Sequence, residues 1–339
     1  MTPGEKERYS RQIFFSSIGE TGQQKICDAR VAIVGCGALG SFHAESLVRA
    51  GVGSLRLIDR DCVDLSNLQR QWLYTEADAL AETPKAIAAG QRLCKLNRGV
   101  EISPCMTDLT SSNAEDLLSD LDLILDGTDN FETRYLLNDI SVKFSIPWIY
   151  GGAVGSYGIV MPVLPRRGPC FACLYPEPPA GAQPTCDTAG VLNSITAAVA
   201  AFQTSFALRL LVGWSEFHSF VQTIDVWSGE VRRIELGGVD PQCPVCQARE
   251  FRYLEGRKRV PVSMCGRNAV QLHESTRPLN LKELALRLGK LGDVRVNEFA
   301  LRMNVPGYQL TFFPDGRAIV KGITDVSKAR SLYARLVGS

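Results

Sequence analysis

The sequence predicts an α/β fold: a doubly wound, mostly parallel sheet carrying a structural zinc site, followed by a small C-terminal α+β domain. Three observations predict it. A strand, a glycine turn, a helix and a second strand follow one another between Ala29 and Asp59. Apolar β-branched runs then alternate with helical stretches as far as Phe144, the pattern of parallel strands joined by crossover helices. Two Cys-x-x-Cys pairs lie farther on, and past residue 246 the charge balance changes sign.

The 339 residues hold 37 basic and 36 acidic side chains with 45% hydrophobic residues, which excludes a disordered, collagenous or purely coiled-coil chain. Residues 247–339 carry 17 Lys/Arg against 8 Asp/Glu, so the near-neutral total hides a basic tail on an acidic body. We expect an N-terminal domain over 1–248, a charged linker over 249–259 and a small basic domain over 260–339. Met1–Arg11 is polar with no apolar h-region, so a cytoplasmic protein is expected. Ala189–Leu208 is uncharged, but Asn193, Thr196, Gln203 and Thr204 make it a buried helix rather than a membrane span. In a reducing compartment eleven cysteines point to metal binding, catalysis or packing rather than disulfides.

The elements follow in order. Ala29–Val34 reads as a strand, Gly35-Cys36-Gly37-Ala38-Leu39-Gly40 as a tight turn opening a helix to Ala50, and Ser54–Ile58 as a strand ending at Asp59. Pro84–Leu96, Asn113–Leu118 and Phe131–Phe144 read as helices, and Val100–Pro104, Leu121–Leu125 and Pro147–Tyr150 as strands. The glycines between Gly151 and Gly158 predict a break before a strand at Ile159–Leu164. Val191–Val212 is a long helix, and Phe220–Trp227 and Val231–Leu236 are strands. In the tail, strands are expected at Val260–Met264, Arg295–Met303, Tyr308–Phe313 and Arg317–Val320, with a turn at Pro314-Asp315-Gly316 and helices at Leu281–Leu288 and Val326–Leu336.

Gly35, Gly37 and Gly40 allow backbone N–H groups and a helix N-terminus to approach a phosphate in a Rossmann-like turn, and Asp59 stands where it can accept ribose hydroxyls. NAD, FAD and ATP all fit. The following loop, Asp59 to Gln71, offers Asn67 and Arg70, and Lys85 opens the next helix. Cations there suit displacement of pyrophosphate, whereas a solvated polar loop is the plain alternative. Asp129, after the strand ending at Asp126, is placed to bind Mg²⁺ at the sheet's carboxyl edge or to cap the next helix, a role open to Asn130 as well. Cys170, Cys173, Cys243 and Cys246 supply the four thiolates of a closed Zn²⁺ site. Cys186, in a Gly/Pro-marked loop, is either a reactive thiol or a tolerated one. Cys27, Cys36, Cys62, Cys94 and Cys105 read as small core or near-core residues, and His43, His218 and His273 form no triad.

Arg8-Tyr9-Ser10-Arg11-Gln12, the glycine turn, Ser66-Asn67-Leu68-Gln69-Arg70-Gln71, Thr128-Asp129-Asn130 and the paired Cys-x-x-Cys motifs together resemble the ThiF/MoeB/HesA family of ubiquitin-activating-type adenylyltransferases, over residues 5–248. The resemblance implies an enzyme using ATP and Mg²⁺ to adenylate the C-terminal Gly-Gly carboxylate of a ubiquitin-like sulfur carrier of the ThiS or MoaD type, in thiamine or molybdopterin biosynthesis. It implies that Asp59 holds the ribose, that Asn67, Arg70 and Lys85 hold the phosphates, and that Asp129 holds magnesium. Arg11 would reach across a homodimer, and Cys186 would accept or relay sulfur from a donor protein. The tail, with Cys265 as a second thiol to consider, resembles an extension of some bacterial members; an acidic protein partner is expected for it, and neither nucleic acid nor membrane. The rival readings are a nicotinamide or flavin oxidoreductase and a non-catalytic nucleotide-binding scaffold.

Overall fold

In the computed structural model the described residues are all those outside 179–185, 215–217, 258–262, 265–268, 274–278, 298, 315, 324 and 338–339. They divide into two compact units, Met1–Gly181 with Gly190–Val260, and Ala182–Ala189 with Pro261–Ser339.

The first unit opens with α1 (Pro3–Arg8), α2 (Ser10–Ile13) and α3 (Gly19–Asp28), none of which was read from the sequence. Its helices and strands continue as β1 (Arg30–Val34), α4 (Ala38–Ala50), β2 (Ser54–Ile58), α5 (Glu76–Leu80), α6 (Lys85–Leu96), β3 (Glu101–Cys105), α7 (Ala114–Leu118), β4 (Leu123–Asp126) and α8 (Phe131–Phe144). Then come β5 (Trp148–Val154), β6 (Tyr157–Val163) and α9 (Phe171–Leu174). The short helix α10 (Cys186–Ala189) falls in the second unit, and α11 (Asn193–Leu211), β7 (Phe220–Asp225) and β8 (Glu230–Glu235) complete the first.

The eight strands form one sheet in the order β3-β2-β1-β4-β5-β6-β7-β8. The pairs from β3 to β5 are parallel and those from β5 to β8 antiparallel. Strand β1 shows why both faces need cover: Val31 and Ile33 enter the core with α4, α6 and α11, while Ala32 and Val34 enter the opposite core with α8 and α9. The order reverses between β1 and β4, which opens a crevice at the carboxyl ends of the strands, the ordinary ligand position in such sheets.

Three expectations need correction, and the buried helix is found as expected. Gly151 and Gly152 do not break a strand; they lie inside β5, and a Cβ on Gly151 would stand 2.3 Å from Gln203 Oε1 on α11. The segment after Cys246 is no free linker, because Phe251, Tyr253 and Leu254 are buried against α8 and the Tyr253 ring stacks on Tyr135 at 4.7 Å. Cys94 is exposed rather than near-core, whereas Cys36 is buried and Cys27, Cys62 and Cys105 lie between. Helix α11 is apolar and long enough by composition to cross a membrane, but Ile195, Val199, Ala200 and Phe206 pack into the sheet core.

In the second unit β9 (Ser263–Met264), β10 (Ala269–His273), α12 (Leu281–Leu288), β11 (Asp293–Val296), β12 (Leu301–Val305), β13 (Tyr308–Phe312), β14 (Arg317–Lys321) and α13 (Val326–Val337) form an α+β layer. The sheet order is β11-β12-β13-β14-β10-β9, and every pair is antiparallel. The strand expected over Arg295–Met303 is two strands of a hairpin. Asn297 Oδ1 accepts from the N–H groups of Phe299 and Ala300 and turns the chain without glycine or proline. Strand β10 was not foreseen. Cys265 and Asp315 lie outside the described residues, as does the Cys186 side chain.

Candidate active site

The glycine turn is built by two different constraints. Gly35 has φ 87° and a Cβ there would meet Gly127 O at 2.6 Å, while a Cβ on Gly40 would stand 1.8 Å from Gly35 O. Those glycines let α4 close onto the sheet. Gly37 differs: a Cβ there would meet only Gln71 Nε2, at 3.8 Å, so it faces open space where a ligand can approach backbone and helix terminus.

Asp59 secures the turn from β2. Its Oδ2 accepts from Cys36 N at 2.6 Å and its Oδ1 from Asp61 N at 2.7 Å. Burial raises its pKa, against the opposing influence of Lys85. Lys85, only 3% exposed, sits at the N-terminus of α6, a position that disfavours a cation, and places Nζ 3.2 Å from Asp61 Oδ2. Tyr74 ties the parts together, donating to Cys36 O at 2.7 Å and to Lys85 O at 3.3 Å.

The loop from Leu65 to Tyr74 lies against the first turns of α4. Trp72 N donates to Ser41 Oγ at 3.2 Å, and the Trp72 ring meets Phe42 edge-on. Asn67 and Gln71 are buried, and Gln71 Oε1 has no hydrogen-bond partner among the described residues. Arg70 folds back to donate to Ser66 O at 2.9 Å.

At the end of β4, Asn130 caps α8 by accepting from Thr133 N at 2.9 Å, which settles the capping alternative and leaves the exposed Asp129 carboxylate outside the cap. Two arginines that sequence reasoning missed attend this edge. Arg60 pairs with Asp108 at 2.9 Å, and Arg134 pairs with the fully buried Asp126 at 3.3 Å. The faint sequence signal was an arginine one turn into a helix that follows a carboxyl-edge aspartate.

The structure therefore brings Gly35, Gly37, Gly40, Asp59 and Lys85 to the sheet edge at which Asp129 follows β4, while Asn67 and Arg70 lie in the adjoining loop, where Arg70 bonds back to Ser66. Arg11 stands apart, exposed on α2 with its guanidinium 5.9 Å from the Phe14 ring. His43 is buried and donates or accepts through Nε2 with Gln203 Oε1 at 3.0 Å; burial pushes its pKa down to about 3, so it is a neutral packing residue.

Cys170, Cys173, Cys243 and Cys246 bring their Sγ atoms within 4.8 Å of one another, with close pairs at 3.8, 3.6 and 3.5 Å. Four sulfurs each about 2.3 Å from a tetrahedral Zn²⁺ stand about 3.8 Å apart, so the cluster fits that ion. Asn138 on α8 braces it, accepting from Phe171 N at 2.9 Å and donating to Cys170 Sγ at 3.7 Å.

Comparison with known proteins agrees with this architecture. The ThiF family model matches residues 9–245. The sulfur carrier protein ThiS adenylyltransferase of Bacillus subtilis (strain 168) is 41% identical over 335 residues, covering 98% of this chain and 99% of its own. A sulfur carrier protein adenylyltransferase of Thermus thermophilus is 38% identical over 252 residues, covering 72% of this chain and 92% of its own. Among solved structures, Escherichia coli MccB with ATP superposes with a TM-score of 0.62 at 22% identity, covering 70% of this chain and 74% of that one, a likeness of fold.

Proposed function

We propose, from the premise that this chain belongs to the ThiF family of adenylyltransferases, that it transfers AMP from ATP to the C-terminal Gly-Gly carboxylate of a ubiquitin-like sulfur carrier. The observation that carries the reading is the convergence of Lys85, Asp59 and Asp61 beside the open Gly37 turn, against which the loop carrying Asn67 and Arg70 sets Gln71. An oxidoreductase has no call for a buried lysine there. The carrier's carboxylate attacks the α-phosphorus of ATP and pyrophosphate leaves. No base is required, because the nucleophile is already an anion; orientation and neutralisation of charge do the work.

In this reading Asp59 holds the ribose hydroxyls, while Asn67, Arg70 and Lys85 meet the phosphates. Asp129 would hold Mg²⁺, which would supply positive charge against the phosphates. Arg11 acts in the site of a second copy. Its exposure beside Phe14 and Phe15, which are 73% and 60% exposed, supports a surface that another copy covers. Zn²⁺ in the four-cysteine cluster is structural. Cys186 is placed by its motif as the sulfur-handling thiol, and the basic second unit as the surface for an acidic protein partner.

The match to the ThiS adenylyltransferase runs through the C-terminal unit, whereas the Adenylyltransferase and sulfurtransferase MOCS3 of Culex quinquefasciatus covers 70% of the chain. That difference favours a ThiS-type carrier and thiamine biosynthesis. The test is exchange of labelled pyrophosphate into ATP, which should need a Gly-Gly carrier; absence of exchange with every such carrier of the organism rejects the proposal.

A further inference from the structure

Thr128, the residue before Asp129, is held at every polar group it owns. Its N–H and hydroxyl donate to Asp126 Oδ1 at 2.8 and 2.6 Å, and its carbonyl accepts from Arg134 Nη2 at 2.8 Å. That carbonyl belongs to the peptide plane joining Thr128 to Asp129, so Arg134 fixes the plane from which the Asp129 side chain departs. On the other side Asn130 is locked as the cap of α8.

Arg134 is itself confined. Its Nε meets Asp126 Oδ2 at 3.3 Å, a second bond from Nη2 reaches Gly151 O at 3.4 Å, and its guanidinium lies 5.3 Å from the Phe131 ring and 5.0 Å from the Tyr150 ring. The pair is expensive to keep: Asp126 is 0% and Arg134 7% exposed, and two desolvated charges seldom add stability over an apolar pair of the same volume. A planar fork that holds a carbonyl and a carboxylate together is what lysine cannot supply.

We propose that Arg134 is a positioning residue for adenylation, pinning the Thr128–Asp129 peptide so that the Asp129 carboxylate is pre-set for the divalent cation before ATP arrives. The inference rests on the reading of Asp129 above. It assigns the buried ion pair to function, acting on Asp129 through the Thr128 carbonyl, with the Arg134 charge also bearing on the Asp129 carboxylate.

The test uses the full-length protein with Arg134→Lys, Asp129→Asn and both together, followed by Mg²⁺ titration of pyrophosphate exchange. Arg134→Lys should raise the Mg²⁺ half-saturation about tenfold. It should also lower turnover about 100-fold, with the ATP KM within about twofold of the parent. In the Asp129→Asn background it should cost nothing further. Hydrogen exchange should quicken at the Asp129 amide. Losses that multiply in the double variant, or an unchanged Mg²⁺ half-saturation, would overturn the proposal. If Arg134→Lys does not fold, Asp126→Asn runs the same cycle at equal volume with the same expectations. Should the parent exchange no pyrophosphate with any carrier, the functional reading fails instead. Calorimetry of ATP binding against Mg²⁺ then decides the positioning role on its own.

Discussion

Lys85 Nζ stands 3.2 Å from Asp61 Oδ2 in a site where the lysine is 3% exposed, at the N-terminus of the helix it begins. An ammonium so placed has left water for a carboxylate pairing with Asp61, with the Asp59 carboxylate also acting on it, and an incoming polyphosphate brings further negative charge to the same place.

Replacing Lys85 by methionine should therefore cost more in the reaction than in ground-state binding. Pyrophosphate exchange should fall by about 100- to 1,000-fold, with a smaller rise in the ATP KM. Steady-state kinetics on the variant check this, and an equal loss in both parameters would mean that Lys85 only binds.

The glycine turn predicts opposite phenotypes for two neighbouring substitutions. Gly40→Ala forces a Cβ to 1.8 Å from Gly35 O and should lower thermal stability severely. Gly37→Ala meets nothing nearer than 3.8 Å, so melting should stay near the parent while ATP affinity drops. Scanning calorimetry and nucleotide titration separate the two.

Removing zinc should loosen the fold rather than the chemistry first. The purified protein should hold about one Zn²⁺ per chain, and strong chelators or Cys243→Ser should lower the melting temperature by about 10 °C or more. Because Asn138 links the cluster to α8, hydrogen exchange along α8 should quicken as well.

Asp139 sets a pH dependence. Its Oδ2 accepts from Tyr253 N and Leu254 N at 2.9 and 3.1 Å, yet burial dominates and pushes its pKa up to about 7. A folded-state pKa above the unfolded value means that the folded form binds the extra proton. Stability from this group is then whole below about pH 4 and is lost as pH rises to 7, by up to about 4 kcal/mol. Asp139→Asn should flatten the urea-denaturation midpoint between pH 5 and 8; an unchanged slope contradicts the assignment.

If Arg11 serves the neighbouring copy, inactive Arg11→Ala and Lys85→Met proteins should complement when their subunits are exchanged. Half the random dimers then hold one intact site, restoring about a quarter of parental activity. No recovery after verified exchange would place Arg11 in its own subunit's site or in none.

The parts of this protein legible in its sequence are those whose cause is local. The strand-turn-helix with Gly35, Gly37 and Gly40, the acidic strand end at Asp59 and the paired cysteines each sit within a few residues of what shapes them. By themselves they left NAD, FAD and ATP open; it was the resemblance carried by these motifs together with Ser66–Gln71 and Thr128–Asn130 that implied an ATP-dependent adenylyltransferase. Tertiary structure alone decided where distant residues meet. Gly151 looked like a strand breaker because the side chain that needs its space, Gln203, lies on α11 some fifty residues away. The Arg295–Met303 segment looked continuous because its turn depends on the Asn297 side chain instead of a glycine. The Asp126–Arg134 pair passed unnoticed because its value comes from burial between two rings and a strand. A side chain's dielectric surroundings are a property of the packed molecule, and no spacing along the chain encodes them.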